Sequence, residues 1–198
     1  MKKYDCMTNE ELALRYTDGD NQAFDELLTR NESKLYDYIL FVVGNSEIAN
    51  DIFQDTFVKI IVNLQEGRYT NSGKFSYWMI RIAHNSIMDQ YRMQKNENIV
   101  EPTHDNDLRN LSVQSVVQSN HEDEIVKTQV LKDVKRLMEN LPTPQREVVY
   151  MRYYQNLSFK EIAEITGVSI NTSLGRMRYA ILNMRKMARE NQITLQVS

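Results

Sequence analysis

The chain has 198 residues, 41% of them hydrophobic and 26% charged, and a formal net charge of −3. That length holds one medium domain or two small ones, and no apolar run nears the roughly 20 residues of a membrane-spanning helix. A single cysteine, Cys6, excludes an internal disulfide framework and fits a reducing compartment; near the end of the chain, it reads as an incidental thiol in preference to a redox sensor.

The N-terminus, MKKYDCMTNEEL, has no hydrophobic segment after its lysines, so no secretory signal is expected. Thr8-Asn-Glu-Glu11 is a capping box, in which the Thr8 hydroxyl and the Glu11 carboxylate satisfy amides at a helix start. That helix carries Leu12 and Leu14 to Tyr16 and breaks at Asp18-Gly-Asp20. A second starts near Asn21, with Ala23, Phe24, Leu27 and Leu28 inward. It continues or restarts through Leu35, Tyr38, Ile39, Val42 and Val43 and stops at Gly44-Asn45. The third spans Ser46 to Gln65. Its apolar face holds Ile48, Ile52, Phe53, Phe57, Ile60, Ile61 and Leu64, and Asp51, Gln54, Asp55 and Lys59 lie largely off that face.

A polar loop, Gly67 to Gly73, leads to a fourth helix from Phe75 to Met93, with Trp78, Met79, Ile82, Ile87 and Met88 available for packing. Periodicity fades from Asn96 to His121, where Pro102, amides, serines and clustered acids read as a linker, with room for a short helix around Leu108 to Val117. The helical pattern returns near Glu122 with Ile125, Val126, Val130, Val134, Leu137 and Met138, and Leu141-Pro-Thr-Pro144 stops it. Thr143 is the expected N-cap of the next helix, with Pro144 at its first position; Val148, Val149 and Met151 are buried and the end falls near Gln155-Asn156.

Ser158 and Glu161 form a second capping box, Ile162, Ala163 and Ile165 face inward, Gly167 supplies a tight turn and Ser169 caps the last helix. A short helix, a glycine turn and a capped basic helix make a helix-turn-helix, although any αα-hairpin shares the outline. The last helix shows an apolar stripe, Leu174, Met177, Ile181, Met184 and Ala188, with Gly175 beside it. Glycine there costs roughly 1 kcal/mol against alanine. Two readings stand: the missing Cβ lets backbone approach a groove wall or phosphate, or Gly175 is a tolerated surface residue. Arg176 can offer a bidentate fork to a guanine edge or a phosphate, and Asn171 and Thr172 sit at a helix start whose amides suit phosphate. From Asn171 to Ala188 the charged residues are Arg176, Arg178, Arg185 and Lys186, whereas Glu97 to Glu124 is acidic on balance. Six glycines and three prolines point to an all-α chain of two small helical domains joined by a flexible acidic linker. Three histidines and one cysteine give no expected metal site, no phosphate loop or nucleophile elbow is present, and no enzyme or cofactor is expected.

Two blocks then identify a family. Ile48-Ala-Asn-Asp-Ile-Phe-Gln-Asp-Thr-Phe57 with Gly73-Lys-Phe-Ser-Tyr-Trp-Met-Ile-Arg-Ile-Ala-His-Asn85 is similar to sigma region 2. Leu141-Pro-Thr-Pro-Gln-Arg-Glu-Val-Val149 with Leu157 to Lys186 is similar to sigma region 4. With Gly19-Asp20 and Ala23-Phe24, the chain resembles an extracytoplasmic-function (ECF) sigma factor, a bacterial transcription initiation factor, over nearly its whole length. The resemblance implies a region 2 domain over 1–96, a linker over 97–122, a region 4 domain over 123–190 and a tail over 191–198. It implies that Asp51, Gln54 and Asp55 dock on the clamp of the largest polymerase subunit, and that region 4 meets the flap of the second largest. The loop Gly67 to Phe75 would capture an extruded base of the minus-ten element: Arg68 and Lys74 attract phosphate, Asn71 is a further implied contact, and Tyr69 and Phe75 offer stacking faces. Arg81, Asn85, Asp89 and Arg92 follow on the next helix, with Asn85 and Asp89 at base-reading positions; Trp78 reads as core before DNA contact. For the minus-thirty-five element the implied set is Ser158, Lys160, Asn171, Thr172, Ser173, Gly175, Arg176, Arg178 and Tyr179. Ser173-Leu174-Gly175 departs from the family pattern of a hydrophobic residue, a Lys or Arg and a Ser, so a basic contact is missing at Leu174. An anti-sigma factor and a cytoplasmic place are further implications. The alternatives are a stand-alone helix-turn-helix regulator that does not act through polymerase, and a protein-only adaptor or decoy.

Overall fold

The computed structural model describes residues 4–70, 73–97, 133–191 and 193, without the side chains of 95–97. The readings for the linker, for the short helix at Leu108 to Val117, for Ile125, Val126 and Val130, and for the tail beyond 193 lie outside the described residues. The described part is helical throughout and has no strand. It forms two units, one within residues 1–105 and one within 106–198. No described helix is long and apolar enough to cross a membrane.

Among the described residues unit 1 holds four helices: α1 (Asn9–Thr17), α2 (Asn21–Val43), α3 (Ser46–Gln65) and α4 (Phe75–Glu97). The capping box at Thr8 and Glu11 starts α1, and the Asp20 carboxylate accepts from the Ala23 amide to start α2. Nothing interrupts α2, which ends at Gly44 with φ 74°, a left-handed conformation that favours glycine. It packs against α1, α3 and α4. Its inner residues Ala23, Leu27, Leu35, Tyr38, Ile39 and Val42 meet Leu12, Ala13, Ile52, Ile60, Leu64, Ile80 and Ile87 in a common core. Each large member contributes about 1.5–3 kcal/mol. Arg30 ties the N-terminal segment down: its guanidinium donates to the Met7 and Tyr4 carbonyls, both at 2.6 Å, and its Nε pairs with Glu26 at 2.7 Å.

Several faces differ from the periodicity reading. On α3 the fully buried positions are Ala49, Ile52, Thr56, Ile60 and Leu64. Ile48, Phe53, Phe57 and Ile61 are only half-buried; Phe53 meets Tyr36 and Phe57 edge-on, a partly solvated aromatic border. On α4 the inner face is Met79, Ile80, Ala83, His84, Ser86 and Ile87, while Ile82 and Met88 sit at its margins, and the helix runs four residues beyond Met93.

Unit 2 contains α5 (133–139), α6 (Thr143–Tyr153), α7 (Phe159–Thr166) and α8 (Ile170–Glu190). Thr143 is not the N-cap. It is the first helical residue, and the cap position is Pro142, whose carbonyl accepts from both Gln145 and Arg146 amides, so no hydroxyl is needed there. The helix ends at Tyr153, short of the expected Gln155-Asn156, and Asn156 turns the chain with φ 55°. The capping box at Ser158 and Glu161, the left-handed Gly167 and the Ser169 cap form as expected.

The buried face of α8 is rotated from the predicted stripe. Ser173, Met177, Ala180 and Ala188 are buried, while Leu174 is 43% exposed and Ile181 36%. Both α6 and α7 pack on α8, and the small buried residues Ser173 and Ala180 of α8 and Ala163 of α7 suit a close approach that larger side chains would hold apart. Hydrophobicity alone selects the larger Leu174 and Ile181 and so misplaces the face.

Candidate nucleic-acid interface

In unit 1 the inner packing of α3 leaves Asp51, Gln54 and Asp55 outward and exposed. The same outer face continues through Val58, 59% exposed, and Val62. Asp55 pairs with Lys59 at 2.7 Å, one turn on. Lys59 also crosses to α4, donating to Ser86 Oγ at 3.1 Å and standing 3.7 Å from Asp89, which in turn holds Arg92 at 2.9 Å. A row of alternating charges therefore joins the outer faces of α3 and α4.

On α4, Arg81, Asn85, Asp89 and Arg92 fall at spacings of three and four and share one outward face. Asn85 keeps its amide exposed. The Asp89 carboxylate is engaged by Lys59 and Arg92, an arrangement that offsets its repulsion of phosphate.

The preceding loop presents Arg68 and Lys74 outward; Arg68 pairs with Glu66 at 2.7 Å, and Lys74 stands 6.0 Å from the Tyr77 ring. Asn71 lies outside the described residues. Phe75 does not offer a stacking face. It is 2% exposed and closes an aromatic triad, with Tyr69 at 5.4 Å and Trp78 at 5.5 Å. The first residue of α4 must enter the core for the helix to dock, and an aromatic there takes the space. Tyr69 is half-buried against Trp78 at 4.8 Å, and Trp78 is itself half-buried, between its two readings. Burial pushes the Tyr69 hydroxyl above the usual tyrosine range, and the Glu10 carboxylate adds to the rise.

In unit 2 the starts of α7 and α8 carry the candidate contacts. Ser158 is committed to its capping box, with Glu161 Oε2 accepting from its hydroxyl at 2.8 Å. Lys160, Asn171, Thr172, Arg178 and Tyr179 are exposed, and Gly175 and Arg176 half-buried. Thr172 shares a 2.8 Å hydrogen bond with the Ser169 hydroxyl. Ser173 leaves the candidate set: its side chain is wholly buried, and its hydroxyl has no hydrogen-bond partner among the described residues. Removing that hydroxyl in Ser173→Ala raises the stability of unit 2 by about 1 kcal/mol, read by thermal unfolding, and leaves minus-thirty-five affinity unchanged. A several-fold affinity loss would return Ser173 to the interface.

Gly175 has a helical backbone, and a Cβ built there meets no atom within 4 Å. The fold therefore gives no reason for glycine. Gly175→Ala stabilises α8 by about 1 kcal/mol. If the missing Cβ serves approach to DNA, the same change weakens duplex binding; unchanged binding would leave Gly175 a tolerated surface residue.

Three features escape the sequence reading: the Lys59 link between α3 and α4, the Asp89 pairing, and a bond from Glu10 to the start of α4. Asp55–Lys59, at i and i+4, and Asp89–Arg92, at i and i+3, carry a local signal; the bonds between helices do not. Among the described residues no cluster of His, Cys, Asp or Glu could hold a metal ion.

Comparison with known proteins follows the division into units. Residues 27–97 match the family model of sigma-70 region 2, and residues 131–173 that of sigma-70 region 4. The RNA polymerase sigma factor YlaC of Bacillus subtilis is 30% identical over 184 residues, covering 86% of this chain and 97% of YlaC. The ECF RNA polymerase sigma factor SigW of the same organism is 27% identical over 175 residues, covering 87% of this chain and 92% of SigW. Among solved structures, the sigma factor RpoE of Bartonella quintana, seen with the anti-sigma factor NepR, shares the fold: TM-score 0.63 at 18% identity, covering 84% of this chain and 96% of RpoE.

Proposed function

The chain belongs to the ECF family of RNA polymerase sigma factors, and on that footing we propose a division of labour between its two units. It is a sigma factor: it binds core RNA polymerase, recognises promoter DNA and promotes strand opening. Unit 1 docks on the polymerase clamp through Asp51, Gln54 and Asp55 of α3. The loop of Arg68, Tyr69 and Lys74 and the outer face of α4, with Arg81, Asn85, Asp89 and Arg92, engage the minus-ten element. Unit 2 lies on the minus-thirty-five element through Lys160, Asn171, Thr172, Arg176, Arg178 and Tyr179 and meets the polymerase flap. The work is binding and positioning and needs no catalytic group of its own. It places the protein with the polymerase, in the cytoplasm.

One observation carries this division: two helical units, matching region 2 and region 4 in that order, each expose a polar face on an otherwise packed helix. An anti-sigma factor is the expected regulator, and the Bartonella RpoE is seen in complex with one; Leu174, Ile181 and Leu182, exposed on α8, give such a partner an apolar surface. Footprinting tests the scheme. Chain and core polymerase together protect an asymmetric site spanning two elements, and the free chain binds the same duplex weakly. A two-fold symmetric footprint by the chain alone would instead mark a stand-alone helix-turn-helix regulator.

A further inference from the structure

The start of α4 is satisfied from a distant part of the chain. Helix-start amides have no intrahelical partner and are met by a side chain at the cap position or by another group. The Trp78 amide donates to the Lys74 carbonyl at 3.0 Å, which makes Lys74 the cap residue of α4. A lysine side chain has donors and no acceptor, so it cannot perform the capping. The Phe75 amide instead donates to Glu10 Oε1 at 2.9 Å, across 65 positions of sequence. A carboxylate there also faces the positive end of the α4 dipole. Glu10 is presented by α1, whose Leu12 and Ala13 are fully buried and whose start is locked by its own capping box.

That bond lies where the loop ends. Phe75 is the fixed corner of the triad with Tyr69 and Trp78, and Tyr69 belongs to the loop. The Tyr69 hydroxyl is buried with no hydrogen-bond partner among the described residues, so the ring is held by its neighbours' shape alone. The loop's hold on its aromatic floor therefore depends on where Phe75 stands, and Phe75 stands where Glu10 puts it.

We propose that Glu10 is a positioning residue for promoter-strand recognition: from α1 it caps α4 and fixes the Phe75 end of the strand-reading loop. The inference rests on the proposed minus-ten role of that loop. Its test uses holoenzyme assembled from full-length chain and core polymerase, and a single-stranded oligonucleotide carrying the promoter's minus-ten element. The readout is the ratio of its affinity to that of a scrambled oligonucleotide. Glu10→Met keeps the side-chain length at a half-buried site and removes the acceptor; Glu10→Gln keeps a neutral acceptor.

The ratio falls about tenfold in Glu10→Met, with core affinity unchanged, and about threefold in Glu10→Gln, because a charge-assisted bond is roughly twice as strong as a neutral one. A purely structural role would weaken core binding and leave the ratio intact among assembled molecules. A wild-type ratio in assembled Glu10→Met overturns the proposal. If Glu10→Met fails to assemble, a wild-type ratio in Glu10→Gln overturns it. If the wild-type holoenzyme itself shows no preference for the promoter strand, the failure belongs to the minus-ten reading of the loop and takes this inference with it.

Discussion

Met151→Ala abolishes minus-thirty-five-dependent transcription while the chain still binds core polymerase. Met151 is fully buried in α6, the helix that packs on both α7 and α8. Truncating a buried methionine to alanine costs about 2–5 kcal/mol, the lost transfer energy plus the cavity left behind. A core as small as that of unit 2 rarely supplies more than about 3–5 kcal/mol net. The change therefore removes most of the unit's stability and, with it, the mutual placement of α7 and α8. Unit 1 has its own core and is expected to keep its fold. Two unfolding transitions in calorimetry, of which only one shifts, together with core binding that persists through unit 1 and loses only the flap contact, are the expected result. A single transition that shifts as a whole would show that the two units fold as one.

Asp51→Arg with Asp55→Arg gives the second large effect, a loss of core polymerase affinity of about a hundredfold at low salt. Both carboxylates lie exposed on α3, one turn apart, outside its buried face. Asp55 does pair with Lys59, but an exposed i,i+4 pair is worth at most about 1 kcal/mol, so the fold tolerates the change. Lys59 keeps Ser86 and Asp89 within reach. Charge reversal on a docking face acts through complementarity with the partner, and its effect shrinks as salt screens it. Affinity titrations at two ionic strengths decide the point. Unchanged affinity at low salt would remove this face of α3 from the polymerase interface.

Much of the fold is legible in the sequence because its helices carry their own punctuation. Thr8 with Glu11, Ser158 with Glu161, Gly44, Gly167 and Ser169 set boundaries within a few residues of chain, and the structure follows them. Which face of each helix is inward is less legible. Hydrophobic periodicity selects Leu174 and Ile181, yet α8 turns its small residues inward, because close helix packing rewards small size as well as apolarity. Phe75 shows the converse. Its aromatic ring and its position beside a polar loop suggest base stacking, and only the three-dimensional packing shows it closed beneath Tyr69 and Trp78. The Glu10 cap and the Lys59 link join positions 65 and 30 residues apart, beyond the reach of any local pattern. Of the candidate site, the exposed polar and basic positions on α3, α4 and α8 are readable as types at spacings. Their engagement with one another, as in Asp89 held by Lys59 and Arg92, is not.

Run-off transcription tests the central claim most directly: the purified chain, bacterial core polymerase and a library of genomic fragments. Start sites that appear only with the chain present, and that share two upstream elements, are the predicted result. Transcription that never depends on the chain, with no association between chain and core polymerase, would contradict it.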